Sequence, residues 1–121
     1  MNQVILIGNI CKDPELRKTQ SGISTCTFTV AVEREQSKRD KENGTHTTDF
    51  ITVVTWRNTA ELCAKYLSKG RQVAVQGKWR NREYEKEGIK RYVSECIADE
   101  VKFLGAPPQR ETRDDYPYPD D

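Results

Sequence analysis

A chain of 121 residues fits one domain with one core, and an apolar content of 35% is low even for that, which suggests that part of the chain packs nothing. No apolar run is long enough to cross a bilayer, and Met1 to Ile10 lacks a basic start followed by a long apolar segment, so a soluble, cytoplasmic protein without membrane contact is expected. The net charge of +1 conceals a split: from Gly105 onward Arg110 and Arg113 stand against Glu111, Asp114, Asp115, Asp120 and Asp121, a balance of −3 that leaves +4 on the preceding 104 residues. A basic body with an acidic arm suits a polyanionic partner.

Cys11, Cys26, Cys63 and Cys96 are widely separated, and the single histidine, His46, has no partner nearby in sequence. Structural zinc shows closely spaced ligand pairs, so neither a metal nor any cofactor is expected, and the thiols read as reduced. No nucleophile is matched with a base, which argues against an enzyme.

In chain order, Val4, Ile5, Leu6 and Ile7 form an apolar run without alternation, stopped by Gly8 and Asn9. Such a run suggests a strand buried on both faces or one that meets another subunit. Asp13-Pro14-Glu15 breaks regular structure and leads through a loop to Ser21-Gly22. From Ser24 to Arg34, Cys26, Phe28, Val30 and Val32 share one face and Thr25, Thr27, Thr29 and Ala31 the other, the pattern of a half-buried antiparallel strand. The charged run Lys38-Arg39-Asp40-Lys41-Glu42 and the turn pair Asn43-Gly44 then read as a long hairpin loop.

Thr48 to Arg57 is a strand with Phe50, Thr52, Val54 and Trp56 on one face and Ile51, Val53 and Thr55 on the other. Taken alone it leaves open which face is inside. A helix follows, capped at Asn58 or Thr59, with Leu62, Cys63, Tyr66 and Leu67 as its apolar stripe and Lys69-Gly70 at its end. On the next strand Val73, Val75, Gly77 and Trp79 lie inside, while Gln76, Lys78, Arg80, Arg82 and Tyr84 share the open side. Antiparallel neighbours can bring that side next to Phe50 and Trp56, interleaving cations with flat rings. Single-stranded nucleic acid needs both, rings for unstacked bases and cations for phosphates.

Glu85-Lys86-Glu87-Gly88 makes a hairpin tip, and Ile89 to Leu104 returns as a last strand whose alternation slips near Asp99-Glu100, as at a bulge or barrel corner. The expected fold is all-β: a five-stranded OB-fold barrel with one helix between strands 3 and 4, over residues 1–104, then a disordered acidic tail over residues 105–121.

Several segments carry a resemblance in order and at matching spacing: Asn2-Gln3-Val4-Ile5-Leu6-Ile7-Gly8-Asn9, Asp13-Pro14-Glu15-Leu16-Arg17, Asp49-Phe50 with Val53-Val54-Thr55-Trp56, Ala60-Glu61, Tyr66-Leu67-Ser68-Lys69-Gly70 and Gly77-Lys78-Trp79-Arg80-Asn81-Arg82-Glu83-Tyr84. Over residues 1–104 the chain resembles bacterial-type single-stranded DNA-binding proteins. The resemblance implies that Phe50, Trp56 and Tyr84 stack on bases and that Arg80, Arg82 and Lys69 meet the backbone. Lys78 and Arg34 complete the candidate set. It also implies sequence-independent binding of single-stranded DNA in replication, recombination or repair, a nucleoid-associated location and a homotetramer.

Three departures stand out. Gln36 falls where many relatives have a further stacking ring, and Trp79 stands where an aliphatic residue is common and reads as core or interface. The tail carries Asp114, Asp115, Tyr116, Tyr118, Asp120 and Asp121 as a candidate docking segment for replication and repair proteins, without the terminal hydrophobic group of its relatives. A replication-restart or RNA-binding OB-fold, or a phage, mobile-element or competence paralogue, is the alternative.

Overall fold

The computed structural model describes residues 1–35, 37–44 and 47–105. Gln36, His46 and the acidic tail from residue 106, with Asp114, Asp115, Tyr116, Tyr118, Asp120 and Asp121, lie outside the described residues. In chain order the elements are β1 (Val4–Ile10), β2 (Glu15–Lys18), β3 (Ser24–Glu33), α1 (Lys38–Asn43), β4 (Thr48–Trp56), α2 (Arg57–Tyr66), β5 (Gln72–Lys86) and β6 (Ile89–Leu104). They form one sheet of six strands in the order β1-β5-β6-β4-β3-β2. Pairing of Asn9 and Ile10 on β1 with Ala31 and Val30 on β3 closes it into a barrel. The fold is all-β, an OB-fold, and the five long strands carry α2 between the third and the fourth.

Two short elements go beyond the sequence reading. β2 lies in the expected loop and pairs with the start of β3. None of its side chains is buried, so it leaves no periodic signal. α1 occupies the charged stretch expected to be a hairpin loop. Its Lys and Glu residues are good helix formers, and the Lys41 N–H donates to the Ser37 carbonyl at 3.2 Å.

The core follows the alternation of the strands. Cys26, Phe28 and Val30 from β3, Val53 from β4, Val73 and Val75 from β5 and Cys96 from β6 are buried together with Ile10. Thr55 is buried as well, and its hydroxyl donates to the Cys26 carbonyl at 2.8 Å. Burial pushes the Cys63 thiol up to about 12, with Cys26 alongside adding to the rise.

The helix stripe needs correction. α2 buries Ala60 and Cys63, with Leu67 just after it, while Leu62 and Tyr66 are exposed. Small Ala60 lets the helix lie close on the strands, and the buried positions then run 60, 63, 67 instead of through Leu62. Nor does Asn58 or Thr59 cap it: Trp56 occupies the cap position without a side-chain hydrogen bond, and Arg57 takes a left-handed φ of 59° at the junction.

Two details shape the long β5–β6 hairpin. Glu87 and Gly88, both with positive φ (54° and 77°), make the two-residue tip. Further down, Gln76 pairs with Glu100 but Gly77 with Ala98, so Asp99 is the extra residue of a bulge, where the alternation slips. A side chain at Gly77 would collide with the Ile97 carbonyl.

Candidate nucleic-acid interface

Residues paired directly across neighbouring strands project from the same face, so the register shows which side chains meet. On the outer face of β4, Phe50, Thr52, Val54 and Trp56 are paired with Ala31, Thr29, Thr27 and Thr25 of β3. β2 then sets Glu15 beside Thr27 and Arg17 beside Thr25. In the other direction Val54 faces Ile97 of β6. β6 sets Ile97, Glu95, Val93 and Arg91 opposite Lys78, Arg80, Arg82 and Tyr84 of β5. The outer face therefore runs from Arg17 through the β4 rings to the β5 cations.

Phe50 is 68% exposed and Trp56 36%, which answers the question β4 left open: the rings face outward, and Ile51, Val53 and Thr55 turn in. The cations are not their immediate neighbours, however. β6 lies between β4 and β5, so the two stripes stand two strand spacings apart, about 10 Å. Tyr84 continues the cation stripe along the hairpin, with the Arg82 guanidinium 5.7 Å from its ring centre.

The remaining candidates divide. Lys78 is exposed and makes no ion pair among the described residues. Arg80 and Arg82 both bind the Glu95 carboxylate, Arg80 Nη2 at 2.6 Å and Arg82 Nε at 2.8 Å from the same Oε2. Burial alone would push the Glu95 carboxyl up, but the hydrogen bonds from Arg82 and Arg80, with their charges, carry it below the ordinary carboxylate value. Lys69 sits off the sheet. Its backbone N–H donates to Asp13 at 2.9 Å, and Asp13 with Lys12 borders a depression over Thr27, Thr29 and Thr52. Arg34 is not brought to the stripe: it pairs with Asp49 at 3.4 Å, and both alternate away from the face of Phe50.

Trp79 pairs with Cys96 and so points to the inner face, yet it lies at the rim and stays exposed. The Asn2 side chain bonds both its N–H and its carbonyl, at 2.9 and 2.8 Å, two residues beyond Val4 and Gly77, the last pair of the β1–β5 ladder.

Sequence reasoning missed Glu95, Arg91 and Arg17 on this face. The first two were legible. Counting back from a two-residue tip at Glu87-Gly88 puts Arg91 opposite Tyr84 and Glu95 opposite Arg80. Arg17 depends on β2, which the sequence does not announce.

The single-strand binding protein family matches residues 1–104. A single-stranded DNA-binding protein of Clostridium tetani is 48% identical over 106 residues, covering 86% of this chain and 70% of that protein. The single-stranded DNA-binding protein 2 of Clostridium acetobutylicum is 47% identical over 106 residues, 86% and 77% of the two chains. The single-stranded DNA-binding protein 1 of Staphylococcus aureus is 41% identical over 116 residues, 95% and 72%.

Proposed function

The chain belongs to the single-strand binding protein family, and on that premise we propose that it binds single-stranded DNA without regard to base sequence and catalyses nothing. The observation that carries the proposal is the outer face itself, where Phe50 and Trp56 lie open on β4 and Lys78, Arg80, Arg82 and Tyr84 follow on β5. Rings stack on any base because every base has a π-face, and cations follow the backbone. Phe50, Trp56 and Tyr84 are the platforms, with Lys78, Arg80, Arg82 and Lys69 meeting phosphates. Titration against single-stranded DNA, single-stranded RNA and duplex tests this. Tightest binding to single-stranded DNA with little preference among bases is expected; tighter binding to RNA would favour an RNA-binding module, and tighter binding to duplex would defeat the proposal.

The same reading places residues 1–104 in one binding domain and residues 105–121 in an acidic arm that docks replication and repair proteins in the cytoplasm, at the nucleoid. Loss of such a partner on removal of the arm is the test. A homotetramer is supported by β1, where Ile5 is 66% and Ile7 55% exposed on a single chain. Sedimentation showing only monomer at micromolar concentration would contradict it.

A further inference from the structure

Glu95 is the group that a polyanion-binding face would not call for. It is an acid in the middle of that face, on the strand between the rings and the cations, and it is only 1% exposed. Two guanidiniums cover it, each about half exposed, at 44% and 47%. Both donate to one oxygen, Oε2. A guanidinium carries five N–H donors in a rigid fork, so each arginine is held at one point and keeps most of its donors for other partners. One negative and two positive groups thus share a site whose net charge is one positive.

We infer that Glu95 is a positioning residue that joins Arg80 and Arg82 into a single cationic unit, so that together they neutralise one backbone phosphate and not two. The inference rests on the reading of this face as a single-stranded DNA site. With Lys78, the stripe then carries the equivalent of two cations per subunit. At about −0.7 per phosphate, the log–log salt slope from this stripe is about −1.4 per subunit instead of about −2.1. The pair gains a fixed pose over the sheet beside Tyr84, and gives up half of its electrostatic pull.

The test is a charge-rescue series on one fluorescent single-stranded oligonucleotide, titrated between about 0.05 and 0.3 M salt. Glu95→Gln keeps the side chain's size but frees one positive charge. Its slope should steepen by about 0.7 per subunit, so that its affinity relative to wild type grows about 3.5-fold from the highest salt to the lowest. The double variant Glu95→Gln with Arg80→Gln restores the net charge and should return to the wild-type slope. The double variant is decisive even where the single one folds poorly: if the arginines counted separately and Glu95 played no part, its slope would be shallower than wild type by about 0.7. That result, or a folded Glu95→Gln protein whose line runs parallel to wild type, overturns the inference alone. A wild type that does not bind the oligonucleotide overturns the reading of the site and this inference with it.

Discussion

Phe28 and Phe50 stand on adjacent, paired strands and differ in everything but their chemistry. Phe28, opposite Val53, is 2% exposed; Phe50, opposite Ala31, is 68% exposed. One face of the β3–β4 ribbon is spent on holding the barrel together, and the other keeps large apolar surface in water, which folding of this chain alone does not reward. Rings left open beside threonines and within two strands of a cation stripe are the platforms proposed for single-stranded DNA. Stability should therefore be concentrated on the inner face and affinity on the outer one.

The sharpest break of that contrast comes from the inner face. Phe28→Ala should cost about 3–5 kcal/mol of unfolding free energy, measured by denaturant, since it empties a buried ring site that Cys26, Val30 and Val53 cannot fill. A cost under about 1 kcal/mol would mean that the barrel interior is not where the stability lies.

The arginine pair tests where the contrast blurs, because here an outer-face group is buried. Replacing Arg80 and Arg82 together by Gln should weaken DNA binding and also cost on the order of 1–3 kcal/mol of stability, since Glu95 loses both its donors. Adding Glu95→Gln should restore much of the stability and none of the binding. Full stability in the arginine double variant would show that the carboxylate finds other partners.

A smaller effect follows from pH. The Glu95 carboxyl is held below its ordinary value of 4.5, so its contribution to stability is complete above about pH 4.5 and is lost as pH falls through the lower folded value. Wild type should exceed Glu95→Gln in melting temperature at neutral pH, and the difference should shrink in acid. A difference that stays constant down to the acid transition would mean that Glu95 does not titrate with folding.

What the sequence disclosed depended on whether periodicity alone could decide. On β3 and the first half of β5, alternation identified the inner residues directly: Phe28, Val30, Val73 and Val75 are all buried. On β4 both faces are apolar enough, and only the family resemblance and then the fold separated Phe50 and Trp56 from Val53. The helix stripe misled because hydrophobicity ranks Leu62 above Ala60, whereas close packing of α2 on the strands ranks them the other way. Glu95 escaped for a different reason. Its meaning lies in register, in what stands opposite it on β5, and the neighbourhood of the rings was set by β6 running between β4 and β5.

Whether the outer-face rings are platforms for bases is decided by titrating single-stranded DNA against four single variants whose stabilities are checked in parallel. Phe50→Ala, Trp56→Ala and Tyr84→Ala should each weaken binding by about 1–3 kcal/mol, with little preference among bases and little loss of stability. Leu62→Ala, which removes an equally exposed apolar group from α2 off the sheet face, should leave binding unchanged. Unchanged affinity in all three ring variants, or a loss in Leu62→Ala that matches theirs, would contradict the assignment of the outer face as the binding surface.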